Sequence, residues 1–112
     1  MALNYADLVA EAELEMAEKS LEFIAKDGKT VMLRPLLLLS KDELKTVQVL
    51  LKKVADQEAD SLDRLAAIDN ILVAVSDRKD SLKKSLADLP PAMHARVFNE
   101  WNAAGSPGEA SA

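Results

Sequence analysis

The sequence predicts a mainly α-helical domain of four to five helices with one N-terminal β-hairpin, and three observations carry that expectation. Apolar residues recur at helical spacing in several separate segments. Two short runs containing Phe, Ile, Thr and Val flank Asp27-Gly28, a dipeptide suited to a tight hairpin turn. Serine and proline punctuate the boundaries: Pro35 before a leucine run, Ser40 before a helix, and Pro90-Pro91 between the last two helices.

Taken in order, residues Leu3 to Glu18 place Tyr5, Leu8, Ala12 and Met16 on one helical stripe among strong helix formers. That stripe is thin, and an isolated helix of this length is marginal in water, so residues 1–19 are expected to form an acidic, loosely docked or mobile helix. With Asp27-Gly28 as a two-residue turn, Ala25 faces Thr30, Ile24 faces Val31 and Phe23 faces Met32, which leaves neither face of the hairpin cleanly polar. A lone hairpin is marginal as well, so one face should pack on helices, leaving the other face or the strand edges for a partner.

Pro35 ends the second strand, and Ser40 with Glu43 three residues later forms a capping box for a helix reaching about Ala55. Leu44, Val47, Leu51 and Val54 make its stripe, with Leu50 beside it and lysines outside. A third helix from near Asp60 aligns Leu62, Leu65, Ile68, Leu72 and Val75, and Ile71 and Val73 widen that side enough to be covered from two directions. A short helix with Leu82, Leu86 and Leu89 stops at Pro90, and Pro91 starts a last helix that presents Met93, Val97, Phe98 and Trp101 and runs to about Ala104. Residues 20–104 thus read as the folded domain and 105–112 as a disordered tail.

Composition narrows the function. A chain of 112 residues, 49% hydrophobic and 29% charged, has the size and balance of one globular domain with one core. At a formal charge of −5 it lacks the basic surface that drives general nucleic-acid affinity. The charge is uneven: residues 1–18 hold five acids and no base, whereas residues 19–53 carry a net +4. The absence of cysteine excludes disulfides and thiol chemistry and fits a reducing cytoplasm. No apolar run approaches the roughly 20 residues of a membrane span, and the N-terminus lacks signal-peptide character, so neither nucleic acid nor membrane is an expected partner.

No residue set suggests a catalytic, cofactor-binding or metal site. The sole histidine, His94, has no acid on its own helix face and reads as structural or surface. The three glycines fall in a turn or the tail, and none builds a phosphate loop. Phe98 and Trp101 read as core or as interface anchors, and Leu36, Leu37, Leu38 and Leu39 read as buried packing or as a docking floor. Those six are the candidate partner-binding residues.

The order of features is itself informative: an acidic start, LEFIAKDGKTVMLRP as a hairpin closing on a proline, four leucines, several helices, then LPPAMHARVFNEW and a Gly/Ser tail. Over residues 20–112 this resembles the tail assembly chaperones of long-tailed bacteriophages, especially those of actinobacteria. Leu33, Pro35, Leu89, Pro90, Phe98, Glu100 and Trp101 match the family pattern, and Val31-Met32 depart from it where an aromatic is usual. The resemblance implies a non-enzymatic helper without cofactors that binds the tape measure protein and the major tail tube protein in the host cytoplasm and is absent from the mature virion. It also implies a longer product made by programmed frameshifting near the tail GSPGEASA. A rival reading is a small structural or adaptor protein that forms homo-oligomers, such as a ring or connector component.

Overall fold

Asn4 opens the first helix by accepting a hydrogen bond from the Ala6 amide, and α1 then runs from Tyr5 to Lys19 before Ser20 turns the chain into a strand. The computed structural model describes residues 2–105, and within them the elements follow as β1 (Leu21–Ile24), β2 (Thr30–Leu33), a 3₁₀ turn at Leu36–Leu38, α2 (Lys41–Ala55), α3 (Ser61–Val75), α4 (Lys79–Ala87) and α5 (Pro91–Ala104). The fold is mainly helical, with five helices and a single antiparallel hairpin. The tail expected to be disordered lies, beyond Gly105, outside the described residues.

The hairpin corrects the expected register by one residue. Leu21 pairs with Leu33, Glu22 with Met32, Phe23 with Val31 and Ile24 with Thr30. A two-residue turn on Asp27-Gly28 would need positive φ at both residues, and only Gly28 has it, at +84°. The loop is instead three residues long: the Gly28 amide donates to the Ala25 carbonyl and the Ala25 amide to the Lys29 carbonyl, each at 2.9 Å. Asp27 accepts from the Lys29 amide at 3.0 Å and steadies this geometry. Because side chains alternate along a strand, the shift moves every β2 side chain to the other face relative to β1. Leu21, Phe23, Val31 and Leu33 turn toward the helices, while Glu22, Ile24, Thr30 and Met32 turn away.

α3 is the central element and packs against α2, α4 and α5. Its Ile71, Leu72 and Val75 are fully enclosed together with Val31, Leu33, Val47 and Leu82, each worth about 1.5–3 kcal/mol of burial. Ala67, too small to stand out in the periodicity, is also buried, whereas Leu62 at the first turn is 71% exposed and contributes nothing to that stripe. α2 begins with the capping box: the Glu43 amide donates to Ser40 Oγ and the Ser40 amide donates to Glu43 Oε1. α1, by contrast, buries no residue.

Polar clusters join the pieces. The hairpin loop is tied to α4: the Lys26 amide donates to Ser85 Oγ at 2.8 Å, Ser81 Oγ donates to Asp27 at 2.8 Å, and the Lys26 ammonium pairs with Asp88. At the C-terminus of α3, Lys79 Nζ donates to the Val73, Ala74 and Ser76 carbonyls, placing a cation at the negative end of that helix. Arg34 joins it there. Its guanidinium donates to the Val75 and Ala74 carbonyls at 3.0 and 3.1 Å and grips Glu43 with both terminal nitrogens at 3.3 and 3.0 Å. The Arg34 carbonyl in turn accepts from Trp101 Nε1 at 2.7 Å.

Candidate functional site

A two-stranded sheet has two outer edges, and here they have different fates. Beyond β2 the chain leaving α3 forms a short third rung: Leu33 bridges Ser76, the Arg34 amide donates to the Val75 carbonyl, and the Asp77 amide donates to the Met32 carbonyl. Asp77 Oδ1 accepts from the Met32 amide at 2.9 Å, so the outward groups of Met32 are both occupied. The edge of β2 is closed from Met32 to Arg34.

Among the described residues the edge of β1 is open. Hydrogen-bonded pairs alternate along an antiparallel ladder, and the bond at Ala25–Lys29 fixes which they are. Phe23 and Leu21 spend their backbone groups on β2, and Glu22 and Ile24 direct theirs outward. Ile24 adds an exposed side chain there, 63% accessible.

Next to that edge, β1 and α5 enclose a groove of about 360 Å3. Its floor is apolar, from Leu21, Phe23, Leu89, Met93 and Val97, and its rim carries Glu22, Arg96 and Glu100. The register creates it: with Phe23 and Leu21 on the inner face, β1 meets the Met93–Val97 side of α5 and leaves a shallow cleft between them. Of these lining residues the sequence marked Met93, Val97 and Leu89 as parts of helical stripes and Leu89 and Glu100 as positions of the resemblance, but none of them as a groove.

The six candidate contact residues are not brought together. Phe98 and Trp101 are 9% and 2% exposed, with rings tilted by 39° and centroids 5.8 Å apart, and belong to the core. Of the two readings the sequence left for them, core or interface anchors, their burial matches the first. The leucine run divides: Leu36 and Leu39 pack against the core, Leu38 is half-buried, and Leu37 projects with 76% exposure. Beside it lies a second cleft, of about 540 Å3, where Leu36, Val49 and Leu51 are bordered by Lys45, Gln48 and Lys52.

The family-pattern positions hold the frame. Leu33 is fully buried, and Pro35 is buried against Gly105, where an added Cβ would meet the Pro35 Cβ at 3.3 Å. Pro90 caps α5, and Leu89 supplies both a groove wall and a carbonyl to His94. Glu100 is exposed at the groove rim.

His94 is buried, and each of its ring nitrogens faces an acceptor: Nδ1 the Asp69 carboxylate at 2.6 Å and Nε2 the Leu89 carbonyl at 2.9 Å. A neutral imidazole has one N–H and would leave one of these unserved, whereas an imidazolium satisfies both. Burial opposes the charge, but the hydrogen bond and field of Asp69 together with the Leu89 carbonyl outweigh it, and the ring's pKa is raised. Neither nitrogen is open to a ligand. Asp69 comes from α3 rather than from the helix of His94, which is why helix-face reasoning missed it. Among the described residues no group of three or more His, Asp or Glu is placed to hold a metal ion, and no helix is long and apolar enough to cross a membrane. Comparison with protein-family models, with curated proteins and with solved structures finds no match for this chain.

Proposed function

We propose that this protein is a tail assembly chaperone of a long-tailed bacteriophage, which covers apolar surface and strand edges of tail components while they assemble. The observation that carries the reading is the open edge of β1 beside the apolar β1–α5 groove. An extended segment of the major tail tube protein would add to β1 through the outward amides and carbonyls of Glu22 and Ile24, with alternate side chains entering the groove. The tape measure protein, long and helical, would lay an apolar stripe on the same floor or on the exposed leucine at position 37. Charged residues around both clefts keep the complex soluble. The chemistry is reversible burial without covalent change, and the place of action is the host cytoplasm, the chaperone leaving before the virion is complete.

The test is co-expression with the tape measure and tail tube proteins of the same genome. The chain should raise their soluble fraction and co-purify with one of them. Ile24→Pro removes one outward N–H without touching the β1–β2 ladder, and Val97→Asp puts a charge on the groove floor. Both should keep the fold and lose the complex. Normal partner solubility with either variant would move the binding site elsewhere, and no gain with the wild type would end the proposal.

A second reading, a small structural or adaptor protein forming homo-oligomers, is favoured by the unpartnered α1. The two part on one measurement. A chaperone is missing from purified particles, whereas a structural component is present in fixed copy number.

A further inference from the structure

α1 carries two unused surfaces. Its apolar residues Leu8 and Leu14 are 47% and 66% exposed, and Asp7, Glu11, Glu15 and Glu18 form a row along one side of the helix. Of these acids only Glu15 has a partner among the described residues, Lys19. An acidic helix of this kind does not pair with its own copy, because the rows would repel. It calls for a basic surface with an apolar strip.

The same chain provides one. On the outer face of α2, Lys41, Lys45 and Lys52 stand in a row, all exposed and all without an ion pair among the described residues. Lys45 and Lys52 border the cleft over Leu36, Val49 and Leu51, and Lys41 continues the row beyond it. The spacings coincide: Asp7, Glu11 and Glu18 are separated by four and seven residues, and so are Lys41, Lys45 and Lys52. Each row spans about 16.5 Å at helical rise. Set side by side and parallel, every one of these acids meets a lysine, and Leu14 falls level with Gln48, next to Val49, which is 64% exposed. The groove beside β1 is a poorer host, since two of its three charged rim residues are acids. Within one chain this match is unused: α1 buries nothing and the lysine row stays exposed.

We propose that α1 is an exchanged arm, docking its acidic face and Leu14 into the lysine-bordered cleft of α2 on a second copy of this chain, with the second copy reciprocating. One arm alone covers little area, and reciprocal exchange doubles it. Assembly therefore leans on charge and weakens with salt, whose screening length falls from about 10 Å at 0.1 M to about 3 Å at 1 M.

Sedimentation of the full-length protein tests this. The wild type should dimerise, with affinity falling at least about tenfold over that range of salt. Lys45→Glu/Lys52→Glu and Glu11→Lys/Glu18→Lys should each be monomeric at concentrations where the wild type is dimeric. Mixed one to one they should form a heterodimer, since each arm then meets a groove of opposite sign. A monomeric wild type, a variant that dimerises as tightly as the wild type, or a mixture no tighter than its parts would overturn the proposal. A cysteine-free chain gives an independent readout that needs no charge reversal: Leu14→Cys mixed with Val49→Cys should form an intermolecular disulfide at low salt that high salt suppresses. Failure to cross-link at low salt counts against the arm.

Discussion

Replacing Arg34 by alanine should destabilise the domain by about 2–3 kcal/mol, and the figure follows from what each of its bonds leaves behind. The pair with Glu43 is bidentate but partly solvated, with side-chain exposures of 24% and 35%, so its loss is worth about 1 kcal/mol. The two bonds to the end of α3 add the interaction of a cation with the helix C-terminus, about 1–2 kcal/mol in a partly buried setting. The loss stops there because neither carbonyl is orphaned. Val75 still accepts from the Arg34 backbone amide at 3.0 Å, and Ala74 from Lys79 at 3.3 Å.

For a domain of this size 2–3 kcal/mol corresponds to a fall in Tm of about 8–12 °C. Arg34→Lys keeps the charge but loses the fork, and should recover less than half. Urea unfolding followed by circular dichroism at neutral pH measures both. The acid limb offers a separate check. The Arg34 side chain, and then the Ser40 amide, hold the Glu43 carboxyl below its ordinary pKa. A depressed folded pKa gives stability that is present above the unfolded value and lost as pH falls through the folded one. The gap between wild type and Arg34→Ala should therefore shrink toward about pH 3. A neutral-pH loss under about 0.5 kcal/mol, or full recovery with lysine, would mean that the guanidinium fork does not hold α3 to α2.

Other outcomes follow from burial and charge. Since the pKa of His94 is raised in the fold, its contribution is complete below the unfolded value of about 6.5 and is lost as pH rises through the folded one. Asp69→Asn should accordingly lower Tm more at pH 6 than at pH 9, and an equal effect at both would mean the pair is not ionic. Leu82→Ala, at a fully buried position, should cost about 2–5 kcal/mol in chemical denaturation. Leu37→Ala, at an exposed one, should stay within about 0.5 kcal/mol, and similar losses for the two would contradict the division of the leucines. Removing residues 1–19 should leave the thermal transition of the core within about 2 °C, measured at high salt and low concentration, because α1 buries no residue.

Two helices were legible from local punctuation that the structure uses, since the Ser40–Glu43 box and Pro91 stand where α2 and α5 begin, whereas α3 and α4 start without a side-chain cap and were legible from their stripes. Their stripes were legible wherever the whole length of a helix is covered, and failed at Leu62, which projects from the first turn of α3. The hairpin was legible as an element but not in register. Asp27-Gly28 satisfies two turn geometries, and the sequence alone does not say whether Asp27 or only Gly28 takes positive φ. The alternation Leu21, Phe23 against Val31, Leu33 held the answer, since only one register puts all four on one face. The candidate site was less legible for a general reason. A strand edge is open or closed according to what arrives from elsewhere, and Ser76 and Asp77 lie over forty residues beyond the strand they cover. Asp69 and His94 likewise meet across helices, where no periodicity marks a pair.

The link from Arg34 to Trp101 spans 67 residues, and this sets the order in which a nascent chain can close. During synthesis the strands emerge after α1 and ahead of every helix of the core, and at that stage each flank of the ribbon is bare. α2 and α3 come next and can nest as adjoining helices, but Asp77 must appear before one flank is sealed, and the indole arrives later still. Translation thus produces, every time, an interval in which a young ribbon is sticky on both sides.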